Sequence, residues 1–304
     1  MDFKLAVETG FATFGPVELH DACLRKSLLT VANDFEDGAW RHRRFHQFVW
    51  DHIAETALSA SERAALGDRH DSVLSEAVKN LRLTASKNDI GRGGEIAEIV
   101  LYGLTRRHYG ALAVVPKIFY KQNKNDNAKG ADSVHIVVDG DNFSLWLGEA
   151  KFYSSIEDAR LPSIIASIEE LLRTDKLRKE NAIVLNVKDI DAIDISQGLR
   201  NRIRMALADG VSLDELKPRL HVPILLLHQC EITGKASVWS DAYQTEIRNY
   251  HADRAISYFS KQLNLLGDKI SLYGEIWFHL ILFPVPEKES IVDHFYKKAS
   301  SYED

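Results

Sequence analysis

The chain has 304 residues, of which 45% are hydrophobic and 27% charged, an ordinary balance for a globular protein that buries its own core. Its formal net charge of −6 argues against a protein that grips DNA unaided, because affinity for the phosphate backbone comes mainly from lysine and arginine. Cys23 and Cys230 are too few for a disulfide framework, and no apolar run is long enough to span a bilayer. A cytoplasmic location is therefore expected.

The first part of the chain, residues 1–85, is predicted to be a mainly helical N-terminal extension with a scaffold or partner-docking role. Residues 3–17 are expected to form short strands or loops. Helices are expected over residues 20–35, over 40–58, and over 61–83 with a break near Gly67. The polar segment 84–89 is the predicted boundary to a second domain, residues 86–304.

The second domain is predicted to open with a glycine-rich helix start and a first core strand. Gly91, Gly93 and Gly94 precede a helix that carries Glu95 and Glu98, and a strand is expected over residues 111–120. The polar loop that follows carries Lys121, Lys124 and Lys129 and is a candidate for contact with a phosphate backbone. A polar loop that binds nothing is the alternative.

The next two predicted strands, residues 132–138 and 142–153, alternate apolar and polar side chains with a period of two. The linking segment Asp-Gly-Asp-Asn is typical of a hairpin turn. In an antiparallel hairpin, Asp132 at the start of one strand lies beside Glu149 and Lys151 at the end of the other. These three residues also share parity with the apolar positions, so all three side chains are expected on one face of the sheet.

Two carboxylates and a lysine at one sheet edge are typical of metal-assisted phosphodiester hydrolysis. Carboxylate oxygens are hard ligands that suit Mg²⁺, and a nearby ammonium stabilises charge that develops in the transition state. The spacing alone is weak evidence, because acidic-x-Lys also occurs at Asp2 and at Glu215. An ordinary ion pair at a strand end is the alternative, and the hairpin context with Asp132 is what favours a catalytic site.

These motifs resemble a known group of nucleases. Gly130-Ala-Asp132 followed by Gly148-Glu149-Ala-Lys151 is similar to the PD-(D/E)xK superfamily, with Ala131 at the position of its proline. The run Gly-Glu-Ala-Lys-Phe-Tyr, together with the helix that begins at Gly91, more narrowly resembles the HamA family, the nuclease subunit of the Hachiman anti-phage defence system. The resemblance implies an α/β fold with a restriction-endonuclease-like core, a mixed sheet flanked by helices.

The resemblance also implies an activity, a metal and partners. It implies an antiviral, Mg²⁺- or Mn²⁺-dependent DNase in which Asp132 and Glu149 bind the metal and Lys151 acts beside them. The first core helix contributes a further acid in this pattern, for which Glu95 is the better match and Glu98 the reserve. A superfamily 2 helicase of the HamB type is the implied partner, and it would restrain the nuclease until phage-associated DNA appears.

The rest of the chain is predicted to complete this core. A helix is expected from Leu161, a strand over residues 182–187, and a basic helix over 197–208. A strand over 222–230, a long helix over 241–266 and a last strand over 275–283 follow, with Pro284 and Pro286 at its end and a solvated charged tail after it. His228 and His279 lie within apolar strands and are predicted to be core histidines.

Two other functions remain open from the sequence. One is a nuclease-like adaptor that binds and regulates the helicase without cutting DNA, although the acidic pair and the lysine argue against it. The other is a restriction-type endonuclease that acts alone, for which the sequence offers no recognition element.

Overall fold

A computed structural model describes residues 3–81, 93–121, 130–186 and 195–302. The predicted domain boundary near residue 85 lies outside these described residues, as do Lys124 and Lys129 of the predicted DNA-binding loop. The chain folds as a mixed α/β structure in which helices flank one large sheet.

Nine strands are present in the described residues. They are β1 (Lys4–Gly10), β2 (Lys26–Ala32), β3 (Phe35–Glu36), β4 (Ala39–Trp40), β5 (Leu112–Val115), β6 (Ser133–Asp139), β7 (Asn142–Tyr153), β8 (Leu220–Gln229) and β9 (Trp277–Val285).

Twelve α-helices accompany these strands in the described ranges. They are α1 (His42–Ala57), α2 (Ala60–Leu66), α3 (His70–Lys79), α4 (Gly94–Tyr109), α5 (Lys117–Lys121), α6 (Leu161–Leu171), α7 (Thr174–Asn186), α8 (Gln197–Leu207), α9 (Leu213–Leu216), α10 (Glu231–Lys235), α11 (Asp241–Leu266) and α12 (Lys288–Ser300).

Seven of the strands form a single sheet in the order β1-β2-β9-β8-β7-β6-β5. The four strands β2, β9, β8 and β7 run parallel to one another. On one side β1 pairs antiparallel with β2, and on the other β6 pairs antiparallel with β7 and β5 antiparallel with β6. The sheet is therefore mixed, as predicted. The carboxyl ends of the four parallel strands lie at one end of the sheet, and β7 carries Glu149 and Lys151 towards that end.

Helices cover both faces of the sheet because its strands are apolar on both sides. Successive residues of β8 face opposite sides, so that Ile224 and Leu226 belong to one buried cluster and Leu225 and Leu227 to the other. The first cluster includes buried side chains of α6, α7, α8 and α11, and the second includes those of α1, α4 and α12. The alternation of side chains along each strand thus produces a three-layer arrangement.

The helix predicted over residues 20–35 is wrong. Residues 26–32 instead form β2, which is buried almost throughout and is hydrogen-bonded between β1 and β9. A short run that is apolar on both faces does not distinguish a buried strand from a buried helix by periodicity, and here tertiary pairing decides.

The first core strand is shorter than predicted. It ends at Val115, and the segment after Pro116 continues as the short helix α5 rather than as strand to residue 120. Proline has no backbone N–H to donate to a ladder, so it ends this edge strand and suits the first turn of a helix.

The strand predicted over residues 182–187 is also wrong over the residues described. Residues up to 186 belong to α7, and Leu177, Glu180, Asn181 and Val184 are its buried positions, at helical spacing. The next strand beside β7 is β8, which pairs parallel with it from Leu145 to Tyr153.

The charged C-terminal segment is not a solvated tail. Residues 288–300 form α12, and Ile291, Val292 and Phe295 are buried in the cluster that also holds α1 and α4. Pro284 does not mark the end of the last strand either, because it lies inside β9. This position is beyond Leu282, the last residue of β9 that pairs with β2, so one edge of β9 needs no donor there.

Residues 3–81 contribute to the same sheet as the rest of the chain. Strands β1 and β2 extend it next to β9, and α1 packs against α4. The helices predicted over residues 40–58 and 61–83 are present as α1, α2 and α3, with the break at Gly67. Within the described ranges, no helix combines the length and apolar character that a membrane crossing requires.

Candidate active site at the sheet edge

The predicted hairpin brings Asp132 next to Glu149. Strands β6 and β7 pair antiparallel from Ser133 opposite Gly148 to Asp139 opposite Asn142, and Gly140 in the turn has a φ of 55°. One residue before β6, the N–H of Asp132 donates to the carbonyl of Gly148 at 2.7 Å. Asp132 therefore continues the ladder, and its side chain lies on the face that Glu149 and Lys151 share.

Three charged side chains meet at this point. The ammonium of Lys151 donates a hydrogen bond to Glu149 Oε1 and lies 3.9 Å from Asp132 Oδ2. Asp132 Oδ2 also accepts a hydrogen bond from the backbone N–H of Ala150 at 3.0 Å. The predicted proximity of Asp132, Glu149 and Lys151 is confirmed.

The cluster is mostly shielded from solvent. The side chains of Glu149, Asp132 and Lys151 are 8%, 13% and 31% exposed. Burial alone would lower the pKa of Lys151, but the charges of Glu149 and Asp132 and the hydrogen bond to Glu149 outweigh it and raise that pKa. Lys151 is therefore a cation at neutral pH, as predicted.

Helix α11 packs on the same face of the sheet as the one that carries Glu149 and Lys151. Tyr258 of α11 is fully buried, and its pKa is held well above the ordinary value by burial, with smaller contributions from Tyr273 and from the charge of Glu149. Tyr258 is thus a neutral phenol within the buried cluster on this face.

The loop after β7 is tied to α11 by one carboxylate. Asp158 accepts hydrogen bonds from Arg254 at 2.9 Å, from Ser257 at 2.7 Å and from Lys261 at 2.8 Å. Hydrogen bonds from Lys261 and Ser257 lower the pKa of Asp158 to about 2. No local pattern pairs Asp158 with α11, because the partners are about a hundred residues away in the chain.

A second anchor lies just before Asp132. The carboxylate of Glu180 on α7 accepts hydrogen bonds from Lys117 of α5, at 2.7 and 2.8 Å, and from the backbone N–H of Ala131 at 3.0 Å. The Lys117–Glu180 pair is almost completely buried. The sequence signal for Glu180 is its helical spacing between Leu177 and Val184. The strand predicted over residues 182–187 is incompatible with that spacing, so Glu180 is not recognised from the sequence.

Gly148 allows α4 to approach the hairpin. A Cβ atom at this position would clash with Ser133 Oγ and would lie 2.7 Å from Leu101 Cδ2. The glycine of the Gly-Glu-Ala-Lys motif therefore has a packing role, because it keeps β7 in contact with both β6 and α4.

Glu95 belongs to a different element from the other two acids. It lies in the first turn of α4, and α4 packs on the face of the sheet opposite the one that carries Glu149 and Lys151. Across residues 3–81, 93–121, 130–186 and 195–302, no group of three or more His, Cys, Asp or Glu side chains is positioned to share a metal ion. Glu98 lies on the same helix and is likewise not part of such a group.

The structure describes little of the predicted DNA-binding lysines. Lys121 is the last residue of α5, which follows the first core strand. Lys124 and Lys129 lie outside the described residues, so their contact with DNA stays a prediction.

The chemistry of the cluster suits a divalent cation. Asp132 and Glu149 already share one cationic group, the Lys151 ammonium, and their oxygens are the hard donors that Mg²⁺ and Mn²⁺ prefer. With two protein ligands, Mg²⁺ keeps the remaining positions for water and phosphate oxygens. The residues present therefore fit a metal that is held by few protein groups.

Fold and site together define an α/β protein with an Asp and a Glu-x-Lys motif clustered at one edge of a mixed sheet. A family model described as HamA matches residues 16–299 of the chain. Because the match spans nearly the whole chain, the chain belongs to the HamA family, a component of the Hachiman defence system. A search among curated proteins found no significant match.

Proposed function

We propose that the chain is a metal-dependent deoxyribonuclease, the DNA-cleaving subunit of a Hachiman system. The observation that carries the proposal is the contact of the Lys151 ammonium with Glu149 and its 3.9 Å separation from Asp132. A merely structural ion pair has no need of a second, largely buried carboxylate on a neighbouring strand.

Each residue has a proposed role. Asp132 and Glu149 would hold Mg²⁺ or Mn²⁺, with Glu95 as a helper ligand, and such an ion supplies Lewis-acid polarisation of a phosphate oxygen. The Ala150 N–H holds the Asp132 carboxylate in place from the side of β7. Glu95, in the first turn of α4, receives its proposed role from the family resemblance.

Lys151 is the proposed electrostatic catalyst. Its raised pKa keeps the ammonium protonated, so it stabilises the negative charge that accumulates on the phosphate in the transition state. The N–H groups of the Lys151 ammonium also orient the attacking water beside the scissile phosphate. Phosphodiester hydrolysis needs this charge stabilisation at one fixed point, and two carboxylates hold Lys151 there.

The partner and the regulation are proposed from the family. Membership of the HamA family supports a partner within the defence system, and we propose that this partner is a superfamily 2 helicase of the HamB type. The net charge of −6 favours the same arrangement, because a chain with no excess of positive charge gains DNA affinity from a partner. The helicase would keep the nuclease inactive until it engages phage-associated DNA.

Plasmid degradation tests the proposal. The purified chain is incubated with Mg²⁺ and supercoiled plasmid, alone and with the helicase and ATP, beside a Glu149→Ala/Lys151→Ala variant. We expect cleavage with the parent chain and none with the variant. Suppression of that cleavage by the helicase, relieved when ATP and DNA are present, would establish the proposed restraint. If neither mixture cleaves DNA while the complex still forms, the chain is instead a nuclease-fold adaptor of the helicase.

A further inference from the structure

We propose that Glu180 is a positioning residue for Asp132. The proposal rests on the proposed function, because it assigns Glu180 to the support of a metal-binding carboxylate. Nothing in the acidic-x-Lys motif or in the family match points to this residue, which lies on α7, 48 positions after Asp132 in the chain.

The carboxylate of Glu180 connects three separate segments. It is bonded to Lys117 at the start of α5, to the backbone N–H of Ala131, and it belongs to α7 itself. Lys117 and Glu180 are 3% and 1% exposed. A buried carboxylate that is bonded to an ammonium and a backbone amide has little freedom to move, because losing either partner leaves a charge uncompensated in the interior.

The backbone next to Glu180 is shaped to receive it. A Cβ atom on Gly130 would clash with Glu180 Oε1, so a side chain at this position would displace the carboxylate. Ala131, the following residue, is fully buried. Gly130 and Ala131 therefore present bare backbone to Glu180 immediately before Asp132.

This contact and the hairpin ladder hold Asp132 from both sides. Glu180 fixes the amide of Ala131, while the N–H of Asp132 is bonded to Gly148 O and its carboxylate to the N–H of Ala150. Metal-assisted reactions are sensitive to ligand displacements of about 1 Å. Releasing the Ala131 amide is therefore expected to alter the site without removing any group from it.

A purely structural role for the buried pair makes a different prediction. Buried ion pairs are often replaced by apolar residues without loss of stability, so only the hydrogen bond to Ala131 distinguishes positioning from packing. Two double variants isolate that bond. Lys117→Met/Glu180→Gln removes both charges but keeps an oxygen for the Ala131 N–H, whereas Lys117→Met/Glu180→Leu removes the charges and the acceptor.

The experiment measures Mn²⁺ affinity of the full chain by electron paramagnetic resonance, and amide hydrogen exchange over residues 130–134. We expect the Leu variant to bind Mn²⁺ at least about tenfold more weakly than the Gln variant and to exchange the Asp132 amide faster. In plasmid cleavage, the Leu variant is expected to lose kcat while KM for DNA stays unchanged. Val184→Ala, a cavity variant one turn further along α7, controls for general loss of stability and is expected to keep parental affinity.

Three outcomes overturn the positioning role: equal Mn²⁺ affinities for the Leu and Gln variants, an equal loss in Val184→Ala, or no Mn²⁺ binding by the parent chain. Failure of the proposed nuclease is distinguishable from these. A parent chain that binds Mn²⁺ but cleaves no DNA under any condition is not a nuclease, and the two affinities still decide whether Glu180 positions Asp132.

Discussion

Lys151 and its two acidic neighbours differ in what each can do at a metal site. The carboxylates offer oxygen lone pairs, whereas the ammonium offers only hydrogens and positive charge. In the structure it also shields the carboxylates from each other, since it is hydrogen-bonded to Glu149 and 3.9 Å from Asp132. Metal binding and transition-state stabilisation are therefore separable by mutation.

Lys151→Met is expected to abolish cleavage while metal binding persists. Removing the ammonium leaves two unneutralised carboxylates, so Mn²⁺ affinity should equal or exceed that of the parent, whereas kcat should fall by about 10²-fold or more. Glu149→Gln is expected to lose both properties. Mn²⁺ titration by electron paramagnetic resonance and plasmid cleavage measure the two effects, with Lys297→Met on the exposed side of α12 as the matched control. Loss of Mn²⁺ binding in Lys151→Met would contradict the assigned roles.

His135 is a buried residue whose polarity the fold does not use. It is fully buried on β6, and neither ring nitrogen has a hydrogen-bond partner among the described residues. Burial, with a smaller effect of Arg106, lowers its pKa to about 3. His135→Leu is expected to raise the unfolding free energy by ~1 kcal/mol, because it removes unsatisfied polar atoms from the interior.

Urea unfolding at pH 7.5 tests this expectation, and His228 supplies the control. His228 is equally buried, but it is hydrogen-bonded to His251 at 3.1 Å and to the Gln229 carbonyl at 3.2 Å. His228→Leu should therefore destabilise the chain, because it leaves His251 Nε2 without that partner. Equal losses of unfolding free energy in both variants would show that the ring of His135 contributes through packing. That packing includes the ring of Tyr102, whose centroid lies 5.1 Å from that of His135.

At the scale of an element, strand β7 depends on a glycine as much as on its apolar residues. Gly148→Ala would make a methyl group clash with Ser133 Oγ and place it 2.7 Å from Leu101 Cδ2, so β7 must move from β6 or α4. We expect a loss of ~1–3 kcal/mol in unfolding free energy, the usual cost of overpacking. Because Glu149 is the next residue, cleavage should fall as well.

The matched substitution is Gly198→Ala in helix α8. A Cβ at Gly198 has open space around it, so the same change is expected to stabilise the helix by up to ~1 kcal/mol. Thermal and urea unfolding of the two variants compare an alanine that clashes with one that does not. If Gly148→Ala is as stable as the parent, the close approach of α4 to β7 is not a constraint on the site.

Local patterns predict the elements on which the site is built. The β6–β7 hairpin has a short polar turn and clear alternation, and the bounds predicted for α11 are those that the structure shows. The proximity of Asp132, Glu149 and Lys151 follows from the hairpin alone, because its pairing is close in sequence.

Elements that depend on distant contacts are not predictable in the same way. Strand β2 and helix α12 are stabilised by neighbours far away in the chain, β9 for the first and α1 for the second. The contact of Glu180 with Ala131 joins residues 49 positions apart, and no sequence period reports it. Local sequence therefore predicts which groups form the site better than it predicts what holds them in place.

Across the whole molecule, many histidines are buried in neutral form. One hydrogen-bonded chain runs from Ser27 through His279 to His221, with both separations 2.9 Å. Another runs from Thr30 through His251 to His228, at 3.0 and 3.1 Å. These chains join neighbouring strands and α11, so their protonation state affects the centre of the sheet.

Burial lowers the pKa of these histidines, and that of His46, below the ordinary value of 6.5. The pKa is about 4 for His221 and His228, about 3 for His279 and His46, and lowered well below the ordinary value for His251, in each case chiefly through desolvation. Between about pH 6.5 and 4, the unfolded chain therefore binds protons that the folded chain does not bind.

The fold should consequently be acid-labile. Above about pH 6.5 the histidines are neutral in both states, so their full contribution to stability is present. As the pH falls towards 4, each such histidine reduces the unfolding free energy by up to ~1.4 kcal/mol per pH unit, and the loss levels off below the folded pKa.

Urea unfolding between about pH 7.5 and 4.5 measures the slope, and His135→Leu tests its origin. That variant lacks one titrating group, so its stability should fall by up to ~1.4 kcal/mol less per pH unit between about pH 6 and 5. An unchanged slope in the variant would mean that the carboxylates, rather than the buried histidines, govern acid unfolding.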